Sequence, residues 1–170
     1  MLLFLRTFRI IFFALFSRKR DFLEESRLRL QIWPNDCDLN FHLNDGRYIS
    51  LAGLGRVDLI ARTGLLRIAR KRGWFPVVGS ATIRYRKSLL PFERFTLRTH
   101  LVAWDQKWFY IEHLFERGDG SIGARLIVRT VLRTKAGPVP TADVLLAVGR
   151  PDGVSPPVPD EIAKWIEVQL

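Results

Sequence analysis

Apolar and polar residues alternate strictly through Arg27-Leu28-Arg29-Leu30-Gln31-Ile32-Trp33, which predicts a β-strand with Leu28, Leu30 and Ile32 on one face. Pro34 stops it. Asn35 to Asn44 reads as a polar loop carrying Asp36, Asp38, Asn40, His42 and Asn44. From Asp45 to Arg62 the apolar positions Tyr48, Leu51, Ala52, Val57, Leu59 and Ile60 fit a long helix, with Asn44 or Asp45 as its N-cap and Gly64 beyond its end. Gly46, Gly53 and Gly55 are odd inside that helix, because each costs ~1 kcal/mol relative to alanine. Close packing against a sheet would offset the cost.

A shorter helix at Leu65 to Arg72 ends at Gly73. Strand-like runs follow at Phe75 to Arg86, Arg94 to Trp104, Lys107 to Arg117 and Ile122 to Thr134, rich in β-branched and aromatic residues. Asp105-Gln106 and Gly118-Asp119-Gly120 are hairpin-like breaks. Val144 to Val148 fits a strand or a helical turn, and Pro156-Pro157 precedes a C-terminal helix at about Pro159 to Val168. One strand, a long helix and then a meander make an α+β domain with the helix across one sheet face. Arg84 and Arg86, Arg94 and Arg98, and Arg125, Arg129 and Arg133 recur at even spacing on their strands. Those sides are expected to face solvent or to be ion-paired at a subunit contact.

Leu2 to Phe16 is mainly Leu, Ile and Phe, yet shorter than the roughly 20 apolar residues of a spanning helix, and Arg6 and Arg9 interrupt it. On a helical projection Arg6, Arg9, Ser17 and Arg20 form one polar stripe. Two readings follow: a helix lying in a bilayer interface, with Arg18-Lys19-Arg20 on anionic headgroups, or a helix docked on the domain or a partner subunit. A cleaved signal peptide fits poorly, because the apolar run Ile10 to Phe16 is short and lacks a small-residue cleavage site. The expected organisation is a hydrophobic and basic helix at 1–20, a globular domain at 21–155 and a helical tail at 156–170.

Composition narrows the classes. With 170 residues, 48% of them hydrophobic, one domain has enough apolar surface for a real core, which argues against disorder or a solenoid. Cys37 is the sole cysteine, so an intrachain disulfide, a thiolate zinc site and an iron–sulfur cluster are all excluded, in keeping with a reducing cytoplasm. The net charge is +10, and Arg6, Arg9, Arg18, Lys19 and Arg20 supply half of it with no acid among them. Charge alone admits nucleic acid, anionic lipid or a polyphosphate ligand; no recognition motif supports nucleic acid, and none is expected as a partner.

The densest polar cluster is Asp36-Cys37-Asp38-Leu39-Asn40-Phe41-His42-Leu43-Asn44-Asp45, at a loop-to-helix junction. It has no second histidine nearby, so a metal is not expected, and the chain lacks a G-x-S-x-G elbow. What it offers is a carboxylate beside the exposed N–H groups of a helix N-terminus, where a developing oxyanion is stabilised. That pairing suits acyl transfer, above all from a thioester, whose thiolate leaves without needing protonation. Beside that reading, Asp38 and Asp36 also suit turn-forming or capping, His42 a structural hydrogen bond, and Tyr48 core packing.

Asp36-Cys37-Asp38-x-x-x-His42-x-Asn44-x-x-x-Tyr48, with Arg56 further along, resembles the D-x-D-x-x-G-H-x-N-N-x-x-Y signature of the 4-hydroxybenzoyl-CoA-thioesterase-like hot-dog superfamily. Within it the chain is most similar to the thioesterase superfamily member six branch, through Tyr85-Arg86-Lys87-Ser88-Leu89, Ala103-Trp104-Asp105 and Phe109-Tyr110. The resemblance implies a hot-dog fold, an antiparallel sheet wrapped around a long central helix, here with an extra N-terminal amphipathic helix. It further implies an acyl-CoA thioesterase without cofactor or metal, a homodimer or dimer of dimers, and acyl-CoA bound between subunits.

By the same resemblance Asp38 is the catalytic carboxylate, acting as base or nucleophile, and the N–H near Asp45 polarises the thioester carbonyl. Asn44, His42 and Tyr48 shape and line the site. Phe41 stands where the signature has glycine, and Asp45 where it has a second asparagine. Gly53 and Leu54 stand where related enzymes carry a helix carboxylate. The expected function is hydrolysis of a fatty acyl-CoA by a cytoplasmic protein, peripheral at the inner membrane surface; the alternative is a non-catalytic acyl- or lipid-binding hot-dog protein there.

Overall fold

Alternation along the strands closes into one antiparallel sheet in the computed structural model, which describes residues 2–151 and 153–168. Strands β1 (Ser26–Gln31), β2 (Phe75–Tyr85), β3 (Arg94–Trp104), β4 (Phe109–Arg117) and β5 (Ile122–Thr134) lie in the order β1-β3-β4-β5-β2, and the short β6 (Gly137–Pro138) pairs with β5. Helices α1 (Leu2–Phe16), α2 (Asp45–Arg62), α3 (Leu65–Arg72), α4 (Thr141–Ala147) and α5 (Asp160–Val168) complete the fold. The stretch that fitted either strand or helix, Val144 to Val148, forms the end of α4 with Val148 as its C-cap. Strand β4 starts at Phe109 rather than Lys107, because Asp105 Oδ1 accepts the N–H groups of both Lys107 and Trp108 and holds them in the hairpin turn.

Cross-strand rows explain where α2 lies. Leu97, Phe115 and Ala124 sit side by side on β3, β4 and β5, as do Thr99, His113 and Leu126, and then Leu101, Ile111 and Val128. All are buried, and α2 lays Leu51, Ala52, Leu54 and Leu59 into the same core. Gly55 makes that approach possible: a Cβ there would stand 2.1 Å from Thr99 Oγ1 and 3.2 Å from Leu97 Cδ2. This contact is what offsets the helical cost of that glycine.

The outer sheet face is ion-paired within the chain. Arg98 bonds Glu25 and Glu116, Arg125 bonds Glu112 and Glu161, and the Arg129 guanidinium lies 4.7 Å over the Trp108 ring. Helix α5 covers part of this face, burying Ile162 and setting Trp165 edge-on to Tyr110. No ion pair reaches Arg84, Arg86, Arg94 or Arg133 among the described residues.

Helix α1 departs from the stripe expected of it. It ends at Phe16, so Ser17 and Arg20 leave the helical face, and Arg6 points inward beside Ile10 and Ala14. Arg6 is 9% exposed; its Nη2 donates to Asp36 Oδ2 at 2.8 Å and to the Gln31 carbonyl at 2.9 Å on the free edge of β1. The helix is docked on its own domain, while Phe4, Leu5, Phe8, Phe12, Phe13 and Phe16 remain exposed. Among the described residues no helix is long and apolar enough to cross a membrane.

Candidate active site

Residues 36–45 fold back on themselves before entering α2. Cys37 and Leu43 form an isolated antiparallel bridge, the Asp38 N–H donates to the His42 carbonyl at 3.0 Å, and the Phe41 N–H donates to the Asp38 carbonyl at 3.1 Å. Asp38 Oδ1 accepts the Asn40 N–H at 2.9 Å. This is a tight turn closed by a residue in the left-handed region, Phe41 at φ +56°. Glycine adopts that conformation freely, which is the physical reason for a glycine in the signature. Phe41 bears the strain with its ring 74% exposed, so packing does not repay it. Phe41→Gly is expected to stabilise the fold by about 1 kcal/mol, seen as a thermal midpoint a few degrees higher; an unchanged or lower midpoint would contradict this.

The turn delivers the chain into α2 with Asn44 as the N-cap, its Oδ1 accepting the Gly46 N–H at 3.0 Å and its own N–H bonding the Asp36 carbonyl. Asp45 is then the first helical residue, and its N–H has no hydrogen-bond partner among the described residues. Asp38, His42, Asn44 and Asp45 thus share one exposed loop and helix start. The His42 imidazole makes no hydrogen bond among the described residues; only its carbonyl is used.

Tyr48 lies deeper. It is buried, edge-on to Tyr85 at 5.1 Å and to Phe115 at 5.0 Å, and burial pushes its phenol up to about 12. Tyr85, at the end of β2, takes the outer place: its ring is half-exposed and its phenol is raised by burial and then by the Asp45 carboxylate. Tyr85 also lines a hollow of about 550 Å³ with Arg84, Arg86 and Lys87. The even spacing of Arg84 and Arg86 marked a basic strand face, but no local sequence signal placed Tyr85, between them, beside the helix start.

A second feature is a buried polar chain behind α2. Arg56 Nη1 lies 3.2 Å from His113 Nε2, and His113 Nδ1 lies 2.8 Å from Thr99 Oγ1. No carboxylate pairs with Arg56 among the described residues, and burial lowers its guanidinium to about 10. A Cβ on Gly53 would stand 3.5 Å from Arg56 Nη2, so a guanidinium lies against that helix position. His113 was legible only as a strand residue.

Burial, then the Arg56 and His100 charges, hold the His113 imidazole well below its ordinary range. The unfolded chain therefore binds the proton more readily than the native state, and the stability this residue supports is present above about pH 6.5 and lost as pH falls below it. The expected slope between pH 6.5 and 5 approaches 1.4 kcal/mol per pH unit. Urea unfolding across that range measures it. His113→Gln should flatten the profile, and an equally steep profile in that variant would remove His113 as the cause.

The wrapped sheet, the long helix and the carboxylate-bearing turn at its N-terminus define a hot-dog protein of the thioester-hydrolase class. Residues 32–166 match the thioesterase-like superfamily, and the chain belongs to that family. It is 34% identical to Protein THEM6 of Xenopus laevis over 149 residues, which cover 87% of this chain and 70% of that protein. With Protein THEM6 of Danio rerio it shares 40% identity over 111 residues, 65% of this chain and 55% of that one. The matched segments therefore span 55% to 70% of these relatives. Among solved structures, DHNA-CoA thioesterase from Staphylococcus aureus superposes with a TM-score of 0.65 at 15% identity, covering 85% of this chain and 91% of that one, a likeness of fold.

Proposed function

We propose that the chain hydrolyses fatty acyl-CoA thioesters, with Asp38 as the catalytic carboxylate. The observation that carries this reading is the pairing of an exposed carboxylate with the unpartnered Asp45 N–H at the start of α2. Asp38 Oδ1 is held by the Asn40 N–H, which leaves Oδ2 for the reaction. The carboxylate takes a proton from water, the hydroxide adds to the thioester carbonyl, and the Asp45 N–H and the dipole of α2 hold the oxyanion. Collapse breaks the C–S bond; the CoA thiolate leaves and takes up a proton, and the acid is released. Asn44 fixes the helix start, His42 shapes the turn, and Tyr48 supports Tyr85 from beneath. The hollow of Arg84, Arg86 and Lys87 suits the CoA phosphates.

A fatty chain is favoured over a small aromatic group because Leu39 and Phe41, 97% and 74% exposed, set apolar surface on both sides of Asn40, next to Asp38. The site is completed by a second copy: β2 leaves one edge of the sheet free, and a homodimer or dimer of dimers joined there would bring a partner surface to Tyr85. The outer face of α1 suggests a protein held at a membrane surface, since six large apolar side chains stand exposed on a helix docked from its other side. CoA release from short, medium, long and aromatic acyl-CoAs tests the catalytic reading. Hydrolysis that favours long chains supports it, and no hydrolysis of any of them would leave the acyl-binding alternative in its place.

A further inference from the structure

A groove of about 590 Å³ runs along the flank of α1, between the helix and the β1 and β3 strands, and Asp38 is not among its lining residues. Its lining includes Arg6, Arg9, Arg29 and Arg94, with Leu5 on the helix side and Trp33 on the opposite rim, and no acidic residue. Arg6 is engaged with Asp36, yet its Nη1 is buried with no hydrogen-bond partner. Arg9, Arg29 and Arg94 are exposed and make no ion pair among the described residues, although the outer sheet face nearby pairs Arg98 and Arg125 thoroughly. Three free guanidinium groups gathered around an unsatisfied buried one repel each other unless an anion joins them. Guanidinium forks match phosphate oxygens geometrically.

The rim says where that phosphate comes from. Phe4, Phe8 and Phe12 succeed each other along the outer face of α1, and Phe12 packs on Phe13 and Phe16. Leu5 and Arg9, one turn apart on the same helix, both line the groove, so the apolar face runs into the cationic one without a break. Across the groove Trp33 stands edge-on to Phe92, both rings exposed, the pairing of an amphipathic indole with an apolar neighbour that suits a headgroup layer. A soluble phosphate would need the arginines alone; phenylalanines beside them need a hydrocarbon phase.

We propose that this groove seats the phosphate headgroup of an anionic phospholipid while the outer face of α1 enters the acyl layer. The inference rests on the membrane reading of α1 given above and adds the lipid class and the residues that recognise it. The test is co-sedimentation of the full chain with phosphatidylcholine vesicles, with and without phosphatidylglycerol. The chain should bind the phosphatidylglycerol vesicles far more tightly, and Arg9→Gln/Arg29→Gln/Arg94→Gln should weaken that binding about a hundredfold while leaving the melting temperature and the binding to neutral vesicles unchanged. Phe8→Ser/Phe12→Ser should lose both kinds of vesicle.

Equal binding by the triple arginine variant would overturn the headgroup site and leave the membrane reading standing. A wild type that binds neither vesicle would overturn both. Soluble glycerol phosphate is the control for the other source: it should leave the melting temperature where it is. A rise in melting temperature that disappears in the triple variant would assign the groove to a soluble phosphate and overturn the lipid seat.

Discussion

Asp36→Ala is expected to destabilise the protein by about 3–5 kcal/mol, or roughly 10 °C in thermal midpoint, although Asp36 is only one acid in a cluster of them. It is 3% exposed and holds three groups together: Arg6 of α1 at 2.8 Å, the Trp33 N–H at 3.1 Å and, at 4.0 Å, Arg47 of α2. Removing the carboxylate leaves the largely buried Arg6 guanidinium without its charge partner, the costliest way to break a buried pair. The double variant Asp36→Ala/Arg6→Met takes the charge away as well and should recover most of the loss. Chemical denaturation of the three proteins measures this; a single variant within about 1 kcal/mol of wild type would show that the pair does not anchor α1.

Asp38→Asn has the opposite signature. Asp38 is exposed, and the one side-chain hydrogen bond it makes among the described residues, from the Asn40 N–H to Oδ1, is one that an asparagine oxygen also accepts. The turn should survive and the melting temperature should stay put. What goes is the group proposed above to take the proton from water, and loss of a positioned base lowers the rate typically about a hundred- to ten-thousandfold. Gly53 and Leu54 carry no carboxylate that could stand in for it, and Asp58, further along α2, is buried and engaged with Ser26 and Arg62. Asp38→Ala should lose both the rate and some stability, which separates the chemical role from the turn-forming one.

Periodicity alone located most elements, because side chains with strong burial preferences recur at two and at three to four residues. The bounds of α2, α3, β3 and β5 coincide with those read from the sequence. Gly55 was a conflict at the helical level that only the Thr99 contact resolves. Pairing of β2 with β5 instead of β3 was not legible, since register between distant strands is set by the closing sheet and not by either strand. Arg6 shows the limit most clearly: its position on a helical stripe with Arg9 suggested a shared polar face, whereas a buried acid thirty residues on draws it inward. At the site, the loop from Asp38 to Asp45 is local and was visible as a motif. Tyr85 and the Arg84 hollow come from a strand remote in sequence, as do the His113 and Thr99 partners of Arg56, and were invisible from the loop motif.

Asp38, in the turn that leads into α2, is the group proposed to drive thioester cleavage. The most direct measurement is a single-turnover time course of CoA thiol released from a long-chain acyl-CoA by an excess of the full chain, wild type beside Asp38→Asn. The wild type should release the whole of the thiol and the variant almost none over the same interval, with both binding the substrate. Equal time courses in the two proteins, or no release by the wild type while it binds acyl-CoA, would contradict the account.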